Sequence, residues 1–200
     1  MKDPTRDKWD RASRTYDLIT WADERRYGAA KARLFSRMWG RCLMLATGTG
    51  NDFRNFPPGL VVSSIDVSRG MLERAKPRAR EYPGVLSLLQ MDAHRLAFRD
   101  AAFDTIVTVS TFCSVPDPVR GLRELHRVLK RDGRLLVFEH VRSRLGPIAT
   151  MQDLLTPISR RFGPDLNRDT MGNLARAGFH LVREENVYLD IVKVAEAIRA

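Results

Sequence analysis

Residues 41–66 read RCLMLATGTGNDFRNFPPGLVVSSID, and this stretch decides the fold. An apolar run over 42–46 has the length of a strand, Gly48 and Gly50 follow it, and a second apolar run over 60–65 ends in Asp66. Glycines lack a Cβ, so the backbone can turn sharply out of a sheet there and let a ligand approach to contact distance. An acid at the carboxyl end of the neighbouring strand can accept both hydroxyls of a ribose, which is why nucleotide-binding α/β folds place one about 20 residues past such a loop. The stretch predicts the nucleoside half-site of an α/β domain.

The loop also narrows the ligand. A dinucleotide site wants G-x-G-x-x-G, because the helix must pack tightly and offer its N-terminus to a pyrophosphate. Here the third position is Phe53, and the Gly-Lys-Ser/Thr triplet of a P-loop occurs nowhere in the chain. The loop suits a nucleoside without phosphates, of which S-adenosylmethionine is the common example.

Outward from this stretch the apolar periodicity predicts helices over 8–20 and 23–39, the second carrying Tyr27, Ala30, Leu34, Met38 and Trp39 near a 3.6 period and ended by Gly40. Strands follow at 42–46, 60–65, 84–90, 103–109 and 134–139, with helices at 69–80 and 117–130 and a turn at Asp132-Gly133. This βαβ alternation implies a Rossmann-like, doubly wound parallel sheet. Residues 146–168 change character: Pro147, Pro157 and Pro164 interrupt apolar patches around an Arg160-Arg161 pair, which predicts an insertion over the active-site mouth. A helix from Asp169 or Thr170 to Ala177, capped by Asp169, and two final strands complete the chain. The expected organisation is one domain over 1–200, with N-terminal helices in 1–40, a donor-binding core in 41–140, the insertion, and a C-terminal helix and hairpin in 169–200.

Composition sets outer bounds. A chain of 200 residues is long enough to bury about 70% of its unfolded surface as one domain. Its longest apolar runs, such as LLVF at 135–138, are far short of the roughly 20 residues a membrane span needs. The opening MKDPTRDKWDRASRTYD mixes charges without an apolar core, which predicts no signal peptide and a cytoplasmic location. Cys42 and Cys113 show no C-x-x-C spacing, so two buried reduced thiols are expected rather than a disulfide framework or zinc site. The net charge is +10, from 34 basic and 24 acidic residues, and residues 1–41 hold 11 of the basic and 6 of the acidic ones. Such a front end can meet anionic lipid, nucleic acid or an acidic partner, or it can simply be a solvated surface.

Several segments together resemble a known family. ATGTGND, SIDVSRGMLERAK, QMDAHRLAF, FDTIVTVSTFCSVPDPVRGLRELHRVLKRDGRLLVFEH and RDTMGNLARAGF are similar, in order and spacing, to class I S-adenosylmethionine-dependent methyltransferases. Within that class the likeness is to the UbiE-like group of quinone C-methyltransferases and its relatives acting on phosphatidylethanolamine or lipophilic thiols. The resemblance implies a seven-stranded sheet with an antiparallel final hairpin, S-adenosylmethionine as donor and S-adenosylhomocysteine as product. It makes Ala46, Gly48 and Gly50 the donor loop, Asp66 the ribose ligand with Val67 and Met71 beside it, and Asp92 and Ala93 the adenine contacts. Tyr16, in RASRTYDLI, would close over the donor, and Ser110, with Thr111 and Phe112, would line the methyl site. The family carries an acid where Met44 stands; Asp17 or Asp52 is the expected substitute.

Methyl transfer from a sulfonium asks the protein mainly to hold donor and acceptor at near-attack distance, so no Ser-His-Asp arrangement is required. Glu139 and His140 end the fifth strand, where one of them can act as general base or simply support the site; His94 and His126 read as peripheral. The Asn/Asp-Pro-Pro-Tyr signature of nucleic-acid amino-methylating enzymes is absent, STFC standing in its place, which makes nucleic acid an unexpected partner. The expected acceptor is small and lipophilic or membrane-presented, such as phosphatidylethanolamine or a quinol, reached from a peripheral position on an anionic inner membrane face. An RNA or protein methyltransferase, or a non-catalytic S-adenosylmethionine-binding protein, remains open at this stage.

Overall fold

The computed structural model describes residues 4–200, except for the side chains at positions 24 and 162; the first three residues of the expected 1–40 segment lie outside the described residues. Seven strands form one sheet: β1 (Arg41–Leu45), β2 (Val61–Asp66), β3 (Val85–Gln90), β4 (Phe103–Val109), β5 (Leu129–His140), β6 (Phe179–Tyr188) and β7 (Val192–Arg199). Their order is β3-β2-β1-β4-β5-β7-β6, parallel from β3 through β5, with β7 antiparallel to both β5 and β6. The order reverses between β1 and β4, the switch point where open α/β sheets bind ligands at the carboxyl ends of the strands. This is the Rossmann-like sheet with its antiparallel hairpin.

The central strands are buried on both faces, and two apolar clusters cover them. One holds Leu43, Leu45, Ile106, Leu122, Leu125 and Leu135. The other holds Tyr27, Leu34, Phe35, Met44, Val107 and Phe138. Alternate residues of β1 therefore feed opposite clusters, as a period of two requires. The helices are α1 (Pro4–Ala12), α2 (Tyr16–Phe35), α3 (Arg69–Arg80), α4 (Pro118–Val128), α5 (Gly146–Phe162) and α6 (Thr170–Arg176).

Helix α3 spans the expected 69–80, because Ser68 Oγ accepts the Met71 N–H and fixes its start. Asp169 caps α6 through the Gly172 N–H as expected. Other boundaries differ. The expected helix 8–20 is two helices: Ser13 Oγ donates to the Asp10 carbonyl, and its backbone N–H ends α1 on Trp9. Helix α1 starts at Pro4, a first-turn position that tolerates proline, and the break places Tyr16 at the start of α2. The turn at Asp132-Gly133 is an excursion within β5, which pairs Phe103 with Leu129 and Thr105 with Arg134. The proline-rich stretch from 146 is a 17-residue helix that runs through Pro157. Both cysteines are free and buried.

Candidate active site

A cavity of about 470 Å³ opens at the carboxyl edge of the sheet, over the β1–β4 switch point. It lies within the roughly 300–1,000 Å³ of small-molecule sites. Its floor is the loop after β1. Ala46 and Gly48 line it, both in the left-handed region with φ of 60° and 55°. A Cβ on Gly48 would meet the edge of the Tyr16 ring at an ordinary contact of 3.6 Å, so the positive φ and not a lack of room is what favours glycine there. Gly50 does not line the cavity; a Cβ there would sit 2.7 Å from the Phe53 ring, so this glycine serves the packing behind the loop. Phe53 is buried in a short 3₁₀ turn, Asn51–Asn55, instead of opening a long helix toward a pyrophosphate.

Asp66 lines the cavity at the end of β2. Its Oδ2 accepts the Gly48 N–H at 2.9 Å and its Oδ1 the Ser68 N–H at 2.8 Å. Each oxygen keeps a second lone pair, which leaves acceptor positions for a ribose diol. Burial pushes its pKa up to about 6, against the pull of the two N–H groups and with a smaller upward push from the Asp10 carboxylate. Asp10 reaches across from α1 to accept Ser68 Oγ–H at 2.6 Å and the Gly70 N–H at 2.8 Å, which fastens α1 to the start of α3.

Val67 and Met71 line the same wall, as do Asp92, Ala93 and Ser110. Asp92 Oδ1 accepts from the His94 backbone at 2.9 Å and lies 2.7 Å from His94 Nδ1. His94 Nε2 accepts the Asp117 N–H, so the ring carries its proton on Nδ1 and donates it to Asp92. Tyr16 lines the cavity beside Trp9, edge to face at 6.3 Å, and burial raises its phenol above the ordinary value.

Glu139 and His140 do not line the cavity; they stand behind its wall. Glu139 is fully buried, and its Oε1 accepts the Thr111 and Phe112 N–H groups at 2.6 and 2.8 Å. Its Oε2 has no hydrogen-bond partner, and burial pushes its pKa up to about 7. His140 Nδ1 lies 3.3 Å from Ser110 Oγ, with its ring edge to face with Tyr27 and its pKa lowered by burial. Ser110, held at φ 48°, and Thr111 are the cavity-lining residues these two groups fix in place.

Met44 is buried in the cluster with Phe138 and Tyr27, away from the cavity. Neither expected substitute for the missing acid reaches the cavity. Asp17 binds Thr49 Oγ, Asn51 and Arg78, and Asp52 pairs with Lys31 at 3.2 Å. The sequence reading also missed one wall. Pro4, Thr5 and Trp9 of α1 line the cavity, as do Met91, His94, Val109 and the turn Ser114–Pro116. The proline at 4 was the available signal, since it marks a helix start four residues earlier than the periodicity did.

Among the described residues no lysine or arginine lines the cavity, although the chain carries 34 of them. Its charged side chains are Asp66 and Asp92, which suit a cationic sulfonium and disfavour a phosphate. The methyltransferase-domain family matches residues 43–137, the run from β1 into β5 that carries this loop and Asp66. The chain carries a class I S-adenosylmethionine-dependent methyltransferase domain.

Relatives of this methyltransferase domain differ in acceptor. A phosphatidylethanolamine N-methyltransferase of Cereibacter sphaeroides is 33% identical over 126 residues, 62% of this chain and 62% of the relative. A human thiol S-methyltransferase is 29% identical over 84% of this chain and 75% of its own length. A demethylmenaquinone methyltransferase of Thermotoga maritima is 40% identical over 50% of this chain and 43% of its own. The match thus spans under two thirds of the first and third relatives. A Thermotoga maritima S-adenosylmethionine-dependent methyltransferase superposes with a TM-score of 0.74 at 19% identity, covering 96% of this chain and 99% of that one. The methyltransferase solved with the Haloferax volcanii Trm112 activator gives 0.75 at 18%, covering 98% and 97%. These two likenesses concern the fold.

Proposed function

We propose that this chain methylates a lipophilic or membrane-presented acceptor, such as the amine of a phosphatidylethanolamine headgroup or the ring of a quinol. The observation that carries this reading is the composition of the cavity wall. Beyond the loop and Asp66 its apolar part includes Pro4, Trp9, Val109, Val115 and Pro116, its polar part is neutral or acidic apart from His94, and among the described residues no lysine or arginine lines it. Such a wall desolvates an apolar or neutral acceptor and offers nothing to an RNA phosphate. It disfavours the nucleic-acid alternative despite the net charge of +10.

S-adenosylmethionine, when bound, supplies a methyl group already activated by the sulfonium charge. The residues then divide the work. Asp66 holds the ribose hydroxyls, Asp92 and the Ala93 backbone hold the adenine, and Ala46 and Gly48 bring the chain against the donor. Trp9 of α1 and Tyr16 of α2 close the cavity and exclude water, which supports the site's main task of holding donor and acceptor at near-attack distance. Ser110 and Thr111 shape the acceptor side and are positioned by Glu139 and His140.

The test is calorimetric titration of S-adenosylmethionine and S-adenosylhomocysteine, followed by transfer of a labelled methyl group to phosphatidylethanolamine vesicles, quinols and RNA. Micromolar donor binding with label in a lipid or quinol supports the reading. Label only in RNA, or donor binding with no transfer to either lipophilic class, overturns it.

A further inference from the structure

Helix α5 is built inside out. Its packed face is polar and small. Gln152 is buried, accepting the Ser143 N–H at 2.7 Å and donating to the Val141 and Leu166 carbonyls at 3.0 and 2.8 Å. Thr156 is buried beside it, and Ala149 completes that side. The neighbouring face carries Met151, Leu154, Leu155 and Ile158, spaced i, i+3, i+4, i+7, and these are 53, 73, 45 and 62% exposed. An apolar stripe turned outward while the same helix buries its glutamine is not what core packing produces, and contiguous exposed apolar side chains mark interaction surfaces.

The flanks and the position say what covers it. Arg144 before the helix and Arg161 in its last turn are exposed and make no ion pair among the described residues. The far end of α5 is joined to two sides of the cavity. The Gly163 carbonyl accepts Lys8 Nζ of α1 at 2.9 Å, and the Asp165 N–H donates to the Cys113 carbonyl at 2.8 Å, in the turn that supplies Thr111 and Ser114 to the wall. No described helix is long and apolar enough to cross a membrane, so a bilayer would be met from its surface.

We propose that α5 lays its Met151–Leu154–Leu155–Ile158 stripe into the surface of a bilayer containing anionic phospholipid, with Arg144 and Arg161 on the headgroups and the cavity mouth brought to the lipid. The proposal deepens, and rests on, the reading of a membrane-presented acceptor. An amphipathic helix flanked by arginines binds such a surface by apolar insertion plus charge attraction. The expected occupant is lipid and not a second copy of the chain, because two copies would set like-charged arginines against each other.

The test is co-sedimentation of the full chain with phosphatidylcholine vesicles with and without phosphatidylglycerol. Wild type is expected to sediment with the anionic vesicles and weakly with the neutral ones. Leu154→Glu/Ile158→Glu should lose at least about tenfold in partitioning, and Arg144→Gln/Arg161→Gln about fivefold per arginine. All four positions are exposed, so both variants should keep the wild-type melting temperature and S-adenosylhomocysteine affinity. Wild type that ignores anionic vesicles, or a Leu154→Glu/Ile158→Glu variant that still binds them fully, overturns the proposal. A lipid-free dimer that this variant dissolves would assign the face to a second copy and also overturn it. Vesicle binding that persists where no donor binds would leave the docking face standing while the methyltransferase reading fell.

Discussion

Asp66 and Glu139 perform the same local task with different consequences. Each is a buried carboxylate at or near the carboxyl end of a strand, and each accepts two backbone N–H groups from loops at the sheet edge. Asp66 spreads those bonds over both oxygens and faces the cavity. Glu139 takes both on Oε1 and leaves Oε2 buried without a partner. Burial raises both pKa values, to about 6 and about 7. A raised carboxylate pKa therefore does not by itself mark the residue that meets the ligand; the open side of the carboxylate does.

The largest effect expected from that contrast is on donor affinity. Asp66→Ala removes a charged acceptor of two hydroxyls, at about 1.5–3 kcal/mol per bond, so S-adenosylhomocysteine binding should fall at least about 100-fold by calorimetry. Glu139→Gln, which keeps an acceptor for Thr111 and Phe112, should change affinity by less than about threefold. Equal losses in the two variants would erase the distinction.

Stability should respond the other way round. Glu139 binds its proton more tightly folded than unfolded, because its pKa rises from 4.5 to about 7. Its ionisation therefore costs stability, progressively as pH climbs through that window and fully above it, by about 3 kcal/mol. Glu139→Gln removes this cost, so its melting temperature should exceed that of wild type at pH 8 and converge with it near pH 4.5. A variant less stable than wild type at pH 8 would mean that the ionised carboxylate holds the Thr111–Phe112 turn better than an amide does.

The two carboxylates were not equally legible. Asp66 follows from strand, glycine turn and strand in one stretch, because local contacts fix it. Glu139 was seen as the end of β5, but the direction of its side chain depends on β4 and its loop, 27 and 28 residues away in the chain. Trp9 and Pro4 were missed for a similar reason: α1 earns its place through Asp10 on Ser68 and Gly70, a contact 58 to 60 residues away that no local period announces. The sheet order and hairpin came from the resemblance and the alternation of elements. That Gly146–Phe162 is helical was not legible, because its prolines and outward apolar residues contradict the pattern of a helix packed on a core.

A smaller effect separates the carboxylates by titration. If Asp66 must be ionised to accept the ribose, S-adenosylhomocysteine affinity should fall about tenfold between pH 7 and pH 5, through its pKa of about 6. The profile should survive in Glu139→Gln, which still titrates at Asp66, and flatten in Asp66→Asn. A profile lost in Glu139→Gln would instead place the titration behind the wall.

The smallest effect concerns the turns these carboxylates hold. Ala46 after β1 and Ser110 after β4 both sit in the left-handed region, at φ 60° and 48°, on the two adjacent strands at the switch point. Such a conformation costs a non-glycine residue about 1–2 kcal/mol, while glycine gives back about 0.5–1 kcal/mol through its greater freedom when unfolded. Ala46→Gly should therefore gain stability by under about 1 kcal/mol, a rise of roughly 2–4 °C at most. Ser110→Gly gains the same relief but loses the contact with His140 Nδ1, so it should be neutral or destabilising. A fall in melting temperature for Ala46→Gly would show that the alanine methyl packs usefully in the loop. Stabilisation of both variants would mean that the Ser110–His140 contact contributes nothing, leaving Glu139 alone to hold the acceptor side of the cavity.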